Sequence, residues 1–289
     1  MLYGYEQELG SERLADYERE AARARELGWW SRPAARTSRN ASRIGATART
    51  ALASIARCRW TDAERAIERL EHDELRPAAQ IAVRAVYAQA RGRRQAAAEL
   101  CTRLRDVAIG GNADPHVWAC GVLAAALQGY VTGTVDDSAQ PVALVRQVCE
   151  RGGGVHRETM EVVCLSLALL ARGGGSPVLA SFLLGHLSSA LDGSHTAQTA
   201  ASLCILALGD VRTGSRMLLR LADGGPVGQL PLVAGLVGAE LARLELEQGN
   251  RQGAAHWIAR TKRFARRYET EFPTTVISGL DRQLSGVRR

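Results

Sequence analysis

The sequence predicts an all-α chain, an α-solenoid of about six to seven helical hairpins. Three observations carry that expectation. A short turn recurs between helix-like stretches: Ala-Arg-Cys58-Arg-Trp-Thr-Asp-Ala63, Ala-Arg-Gly92-Arg-Arg-Gln-Ala-Ala97, Ala-Leu-Gly209-Asp-Val-Arg-Thr-Gly214 and Glu-Gln-Gly249-Asn-Arg-Gln-Gly-Ala254. Small residues stand seven before each turn (Ala51, Ala85, Ser202, Ala242) and five after it (Ala63, Ala97, Gly214, Ala254). Two helices that cross closely need small side chains on both, so each pair marks a crossing. Composition agrees: 46% hydrophobic and 23% charged residues is a globular balance, and an array grows by stacking without a second core.

Anchoring on the turns places hairpins at Cys58, Gly92, Gly133, Gly174, Gly209 and Gly249. A seventh turn is expected at Gly10, opening a helix that runs to about Leu27 and closes at Gly28. The whole chain, 1–289, reads as one helical-repeat domain. Residues 1–28 form an N-terminal repeat helix, 29–43 a connector, and 44–289 the array, with an irregular centre at 111–210. The hairpin at Gly174 offers Leu167 and Leu179 in place of small residues. The one at Gly133 is followed by a long turn ending at Pro141, a residue suited to helix initiation.

The small-residue pairs, the turn glycines and Pro226 are similar to tetratricopeptide repeats, and the step from Cys58 to Gly92 has their period. The wider spread of steps, with phrases such as Ala-Arg-Glu-Leu-Gly28, resembles the C-terminal sensor half of large maltose-regulator-type bacterial activators. That resemblance implies a cytoplasmic regulatory protein that binds others. The sequence departs from those regulators by lacking Gly-x-x-x-x-Gly-Lys-Ser/Thr, and its sole lysine, Lys262, falls in an amphipathic stretch. Neither an ATPase site nor a DNA-reading helix-turn-helix is recognisable.

Other chemistry is sparse. His-Glu-x-x-His and Gly-x-Ser-x-Gly are missing, and Asp136-Asp137 lacks a third aspartate for magnesium. His116 and Cys120 lie four apart, the spacing of two helical metal ligands, but have no third nearby. His156, Glu158 and Glu161 suit a solvated helix start. The six cysteines form no Cys-x-x-Cys, so they read as buried small hydrophobes in a reducing cytoplasm. No catalytic residue, metal or cofactor is expected. No secretory leader is recognisable, so Asn40-Ala-Ser42 is not expected to be glycosylated. The uncharged run from Pro115 to Val135 reads as a buried hairpin helix and not a membrane span.

The net charge is +7, almost all of it arginine. Clusters at Arg32, Arg36, Arg39, Arg43 and Arg49, and at Arg260, Lys262, Arg263, Arg266 and Arg267, read as solvated helix faces. Direct nucleic-acid binding is therefore not expected. Residues 111–210 hold only 12 of the 67 charged residues but four of the six histidines. Burial, a homodimer contact or an apolar ligand cavity would each account for that deficit.

First helices of the hairpins should line a concave face. Aligned turns place there Leu127 and Tyr130, Cys164, Leu203 and Arg243, and His116 and His195 are candidate polar contacts. An apolar groove of this kind suits a protein, a peptide or a lipophilic small molecule. The leading expectation is a non-enzymatic binding and regulatory module. Its rivals are a truncated sensor region of a larger transcription activator, and a helical enzyme with a site in the charge-poor centre.

Overall fold

The computed structural model describes residues 39–71, 77–106, 157–174, 177–187, 194–223 and 230–285, with 121, 123–124, 126–127 and 130. Among the described residues the structure is helical, and none is in a strand. Helix α1 spans Arg39–Ala56, α2 Trp60–Glu71, α3 Pro77–Ala90 and α4 Arg94–Asp106. After the short helical piece around Leu123, Leu127 and Tyr130 come α5 (Arg157–Gly174), α6 (Pro177–Leu187), α7 (His195–Ala207) and α8 (Val211–Asp223). The chain ends with α9 (Pro231–Glu247), α10 (Arg251–Arg267) and α11 (Phe272–Leu284). The expected turns at Gly10 and Gly133 lie outside the described residues. Helix α1 begins at Arg39, within the stretch that the sequence assigns to a connector.

The four matched turns share one geometry. Cys58, Gly92, Gly209 and Gly249 take φ of 53°, 68°, 91° and 76°, the left-handed region that closes a helix. In each, the next residue's N–H donates to a carbonyl five residues back: Arg59 to Ser54, Arg93 to Ala88, Asp210 to Ile205, Asn250 to Glu245. That is the six-to-one bond of a Schellman closure. Glu269, at φ 50°, ends α10 the same way, with Thr270 donating to Ala265. The small residues on both sides of the four turns are buried, so the close crossings are real. At Gly214 an added Cβ would lie 2.6 Å from the Leu206 side chain. Leu167 and Leu179 are buried too, so the α5–α6 pair is packed by large side chains.

Packing runs along the chain and then returns on itself. Helix α1 packs on α2 and α3, α5 on α7, α7 on α8, and α9 on α10 and α11. The turn after α10 then meets the first two hairpins. Trp60 Nε1 donates to the Tyr268 carbonyl (3.0 Å), and Arg91 Nη1 donates to that of Glu269 (2.8 Å). The Ala90 carbonyl accepts from both Thr270 Oγ1 (2.8 Å) and the Glu271 N–H (3.2 Å). Phe272, fully buried, joins the hydrophobic cluster that holds Ala48, Ile55 and Val86. We call this junction the seam.

Burial explains the described part of the charge-poor centre. Leu165, Leu169, Leu183, Leu203 and their neighbours on α5–α7 are core residues. Among the described residues the exposed large hydrophobics are Val211 and Leu219, both on α8. Of the three explanations for the missing charge, burial accounts for α5–α7. No described helix is long and apolar enough to cross a membrane.

Candidate functional site

From Pro231 to Ala242, helix α9 carries one charge, Glu240, which is 1% exposed. A charge buried so completely needs partners, because its desolvation is otherwise prohibitive. The fold supplies three, from α5, from the segment at Tyr130 and from α9 itself. Arg172 Nε, near the end of α5, donates to Glu240 Oε1 (2.6 Å). The Tyr130 hydroxyl donates to Oε2 (2.6 Å). Arg243, one turn along α9, brings Nη1 to 3.6 Å from the same oxygen. Its guanidinium lies over the Tyr130 ring, 4.8 Å from the centroid.

The network reaches solvent through Glu247, whose two oxygens accept from Arg172 Nη2 (3.1 and 3.0 Å). Two guanidinium groups thus face two carboxylates, and the cluster is formally neutral. Burial opposes the charge on Arg172, but Glu240 and Glu247 more than offset it and hold the guanidinium above its ordinary pKa. Burial, then the Glu240 charge, pushes the Tyr130 phenol far up, so it stays a hydrogen-bond donor at neutral pH. The site can hold geometry: one anion ties three separate segments together. Arg243 and Glu247 are its solvent-facing members.

The sequence-derived residues fall into three groups. Tyr130 and Arg243 meet directly in this network. Leu127, Cys164 and Leu203 are buried in the shared core, so the face expected to be an open apolar groove is filled by packing. His195 lies half-buried at the first position of α7, after the cap Ser194, whose Oγ donates to Glu161 Oε2 (2.6 Å) and accepts from the Ala197 N–H. It takes no part in the contacts around Glu240. His116 lies outside the described residues.

Sequence reasoning missed Glu240 and Arg172. The signal was available: a single carboxylate among the Val, Leu, Gly and Ala of residues 231–242, and a single arginine closing the apolar run of α5. Burial drives the Cys58 thiol up to about 12 against the opposing charge of Arg91, and it also raises that of Cys204. Both therefore serve as small apolar groups and not as thiolates. Among the described residues no group of three His, Cys, Asp or Glu side chains is placed to hold a metal ion.

No protein-family model matches the chain, and neither a curated protein nor a solved structure matches it.

Proposed function

We propose that the chain is a non-enzymatic binding and regulatory module, an α-solenoid of tetratricopeptide-like hairpins that holds a protein or peptide partner. The observation that carries this reading is the network around Glu240. It spends one fully buried charge to fix three segments, and it presents Arg243 and Glu247 side by side where the first helices converge. With the groove filled, the partner sits on this charged rim and engages Arg243 and Glu247 through its own polar groups. Buried charges of this kind specify geometry more than they add stability, which suits a recognition surface.

The test is affinity capture with quantitative mass spectrometry, using the wild type, Arg243→Ala, Glu247→Ala and an α8 control, Arg212→Ala. A protein retained by the wild type and the control but depleted from both rim variants supports the reading. If every captured protein is retained equally by all four, the rim is not the binding surface.

A further inference from the structure

We propose that the seam is a binding surface for the phosphate backbone of a single-stranded nucleic acid. Closure gathers six exposed arginines that the sequence scatters: Arg57 and Arg59 before α2, Arg93 and Arg94 at the start of α4, where Arg94 also donates to Ser278 Oγ (3.3 Å), and Arg266 and Arg267 at the end of α10. The contacts of Trp60 and Arg91 with the 268–269 turn bring these three groups to one surface. The acids at the seam are fewer, and Asp62, in the first turn of α2, lies 3.6 Å from Arg65. Glu64 accepts from the Tyr87 hydroxyl, Glu269 lies 3.8 Å from Arg91, and Glu271 stands over Gly92.

Two features set this patch apart from an ordinary solvated face. The first is a forgone helix cap. In the matching hairpins, Asp210 and Asn250 accept at 3.0 Å from the N–H groups of Thr213 and Gly253. The equivalent positions at the seam are Arg59 and Arg93, which cannot accept and which set positive charge against the positive ends of two helices. Both departures fall on the same surface. A local rule broken twice in one place, against stability, points to a role that repays it. The second feature is order. Arg91 lies over the Trp60 ring (5.0 Å), Arg93 over Tyr87 (5.8 Å) and Arg267 over Tyr268 (5.5 Å). Guanidinium groups held over aromatic rings are positioned before a ligand arrives. Arg93 and Arg267, the exposed two of these three, offer donors to phosphate oxygens and planes on which unpaired bases stack. A duplex hides its base faces, and an acidic peptide has none.

The test is fluorescence anisotropy with a labelled single strand of about 20 nucleotides, its duplex, and polyglutamate of equal charge, across a salt series. The single strand should bind tightest. Arg59→Asp/Arg93→Asp, which installs the acidic cap seen at Asp210, should weaken it at least tenfold while leaving the melting temperature unchanged or higher. Arg212→Asp/Arg216→Asp, an equal charge change on exposed α8 positions, should cost less than threefold. Should the first double variant fold poorly, Arg266→Ala/Arg267→Ala replaces it. It should lower the slope of log K against log salt by roughly 1.4, as two lost phosphate contacts require. Equal binding of duplex or polyglutamate overturns the proposal. So does an equal loss in the α8 control, or full affinity in the seam variants.

Discussion

Tyr130→Phe deletes one hydroxyl and almost no volume, so it isolates a single hydrogen bond to a buried carboxylate. Leaving Glu240 Oε2 without that donor should lower stability by about 1–3 kcal/mol, measurable by denaturant melts. Arg172→Met should cost more, about 3–5 kcal/mol, because it strands the Glu240 charge. The double replacement Arg172→Met/Glu240→Met should recover much of that loss. A double variant no better than the single would mean that α5 and α9 are not joined through this pair. At the surface, Asp210 has its pKa lowered, chiefly by accepting the Thr213 N–H. A lowered folded-state pKa adds stability above the unfolded value, and that stability is lost as pH falls through the folded value. The gap in melting temperature between wild type and Asp210→Ala should therefore be full at neutral pH and close as the pH drops below about 4. A gap that does not change with pH would show that the carboxylate charge contributes nothing. Tyr130 and Arg243 could be placed from sequence because aligned turns fix which way a first helix faces. Glu240 and Arg172 required knowing that α5 lies against α9, a tertiary adjacency that no local spacing encodes.

The turns were the most legible elements, for a steric reason. A left-handed residue after a helix favours glycine so strongly that three of the four matched turns announce themselves. Cys58 shows that the geometry, and not the residue, is what repeats. Cys58→Gly should relieve strain and raise the melting temperature. Gly92→Ala should lower it, both through its positive φ and because its Cβ would fall 2.4 Å from that of Glu271. The same change at Gly209 meets open space and carries only the backbone term. Glu269 escaped notice because nothing glycine-like marks it. Helix crossings were legible for a related reason, since a close approach excludes large side chains. Ala63→Leu or Ala97→Leu should overpack a crossing at a cost of about 1–3 kcal/mol, and unchanged melts for both would remove those alanines from the contact.

At the scale of the whole molecule, the sequence reading erred in imagining an open groove. Repetition predicts neighbours along the chain and is silent on whether the ends meet. Here the first two described hairpins meet the turn after α10, and the apolar first-helix faces become core. Removing residues 270–289 should therefore destabilise the first two hairpins as well as α9, giving one cooperative loss in hydrogen exchange across Ala48–Ala90. Protection confined to a loss near α9 and α10 would show that the N-terminal hairpins stand alone.

The seam also sets an order of events during synthesis. Trp60 cannot find the Tyr268 carbonyl until 208 further residues have been made. At bacterial-to-eukaryotic elongation rates that interval is roughly 10–40 s. Throughout it, Trp60, the Ala90 carbonyl and the apolar face later covered by Phe272 lack their final partners. A nearest-neighbour array would finish its first repeats while the rest is still being translated. This chain instead leaves the Trp60 and Ala90 contacts of its first described hairpins unmade until the turn after α10 has been translated.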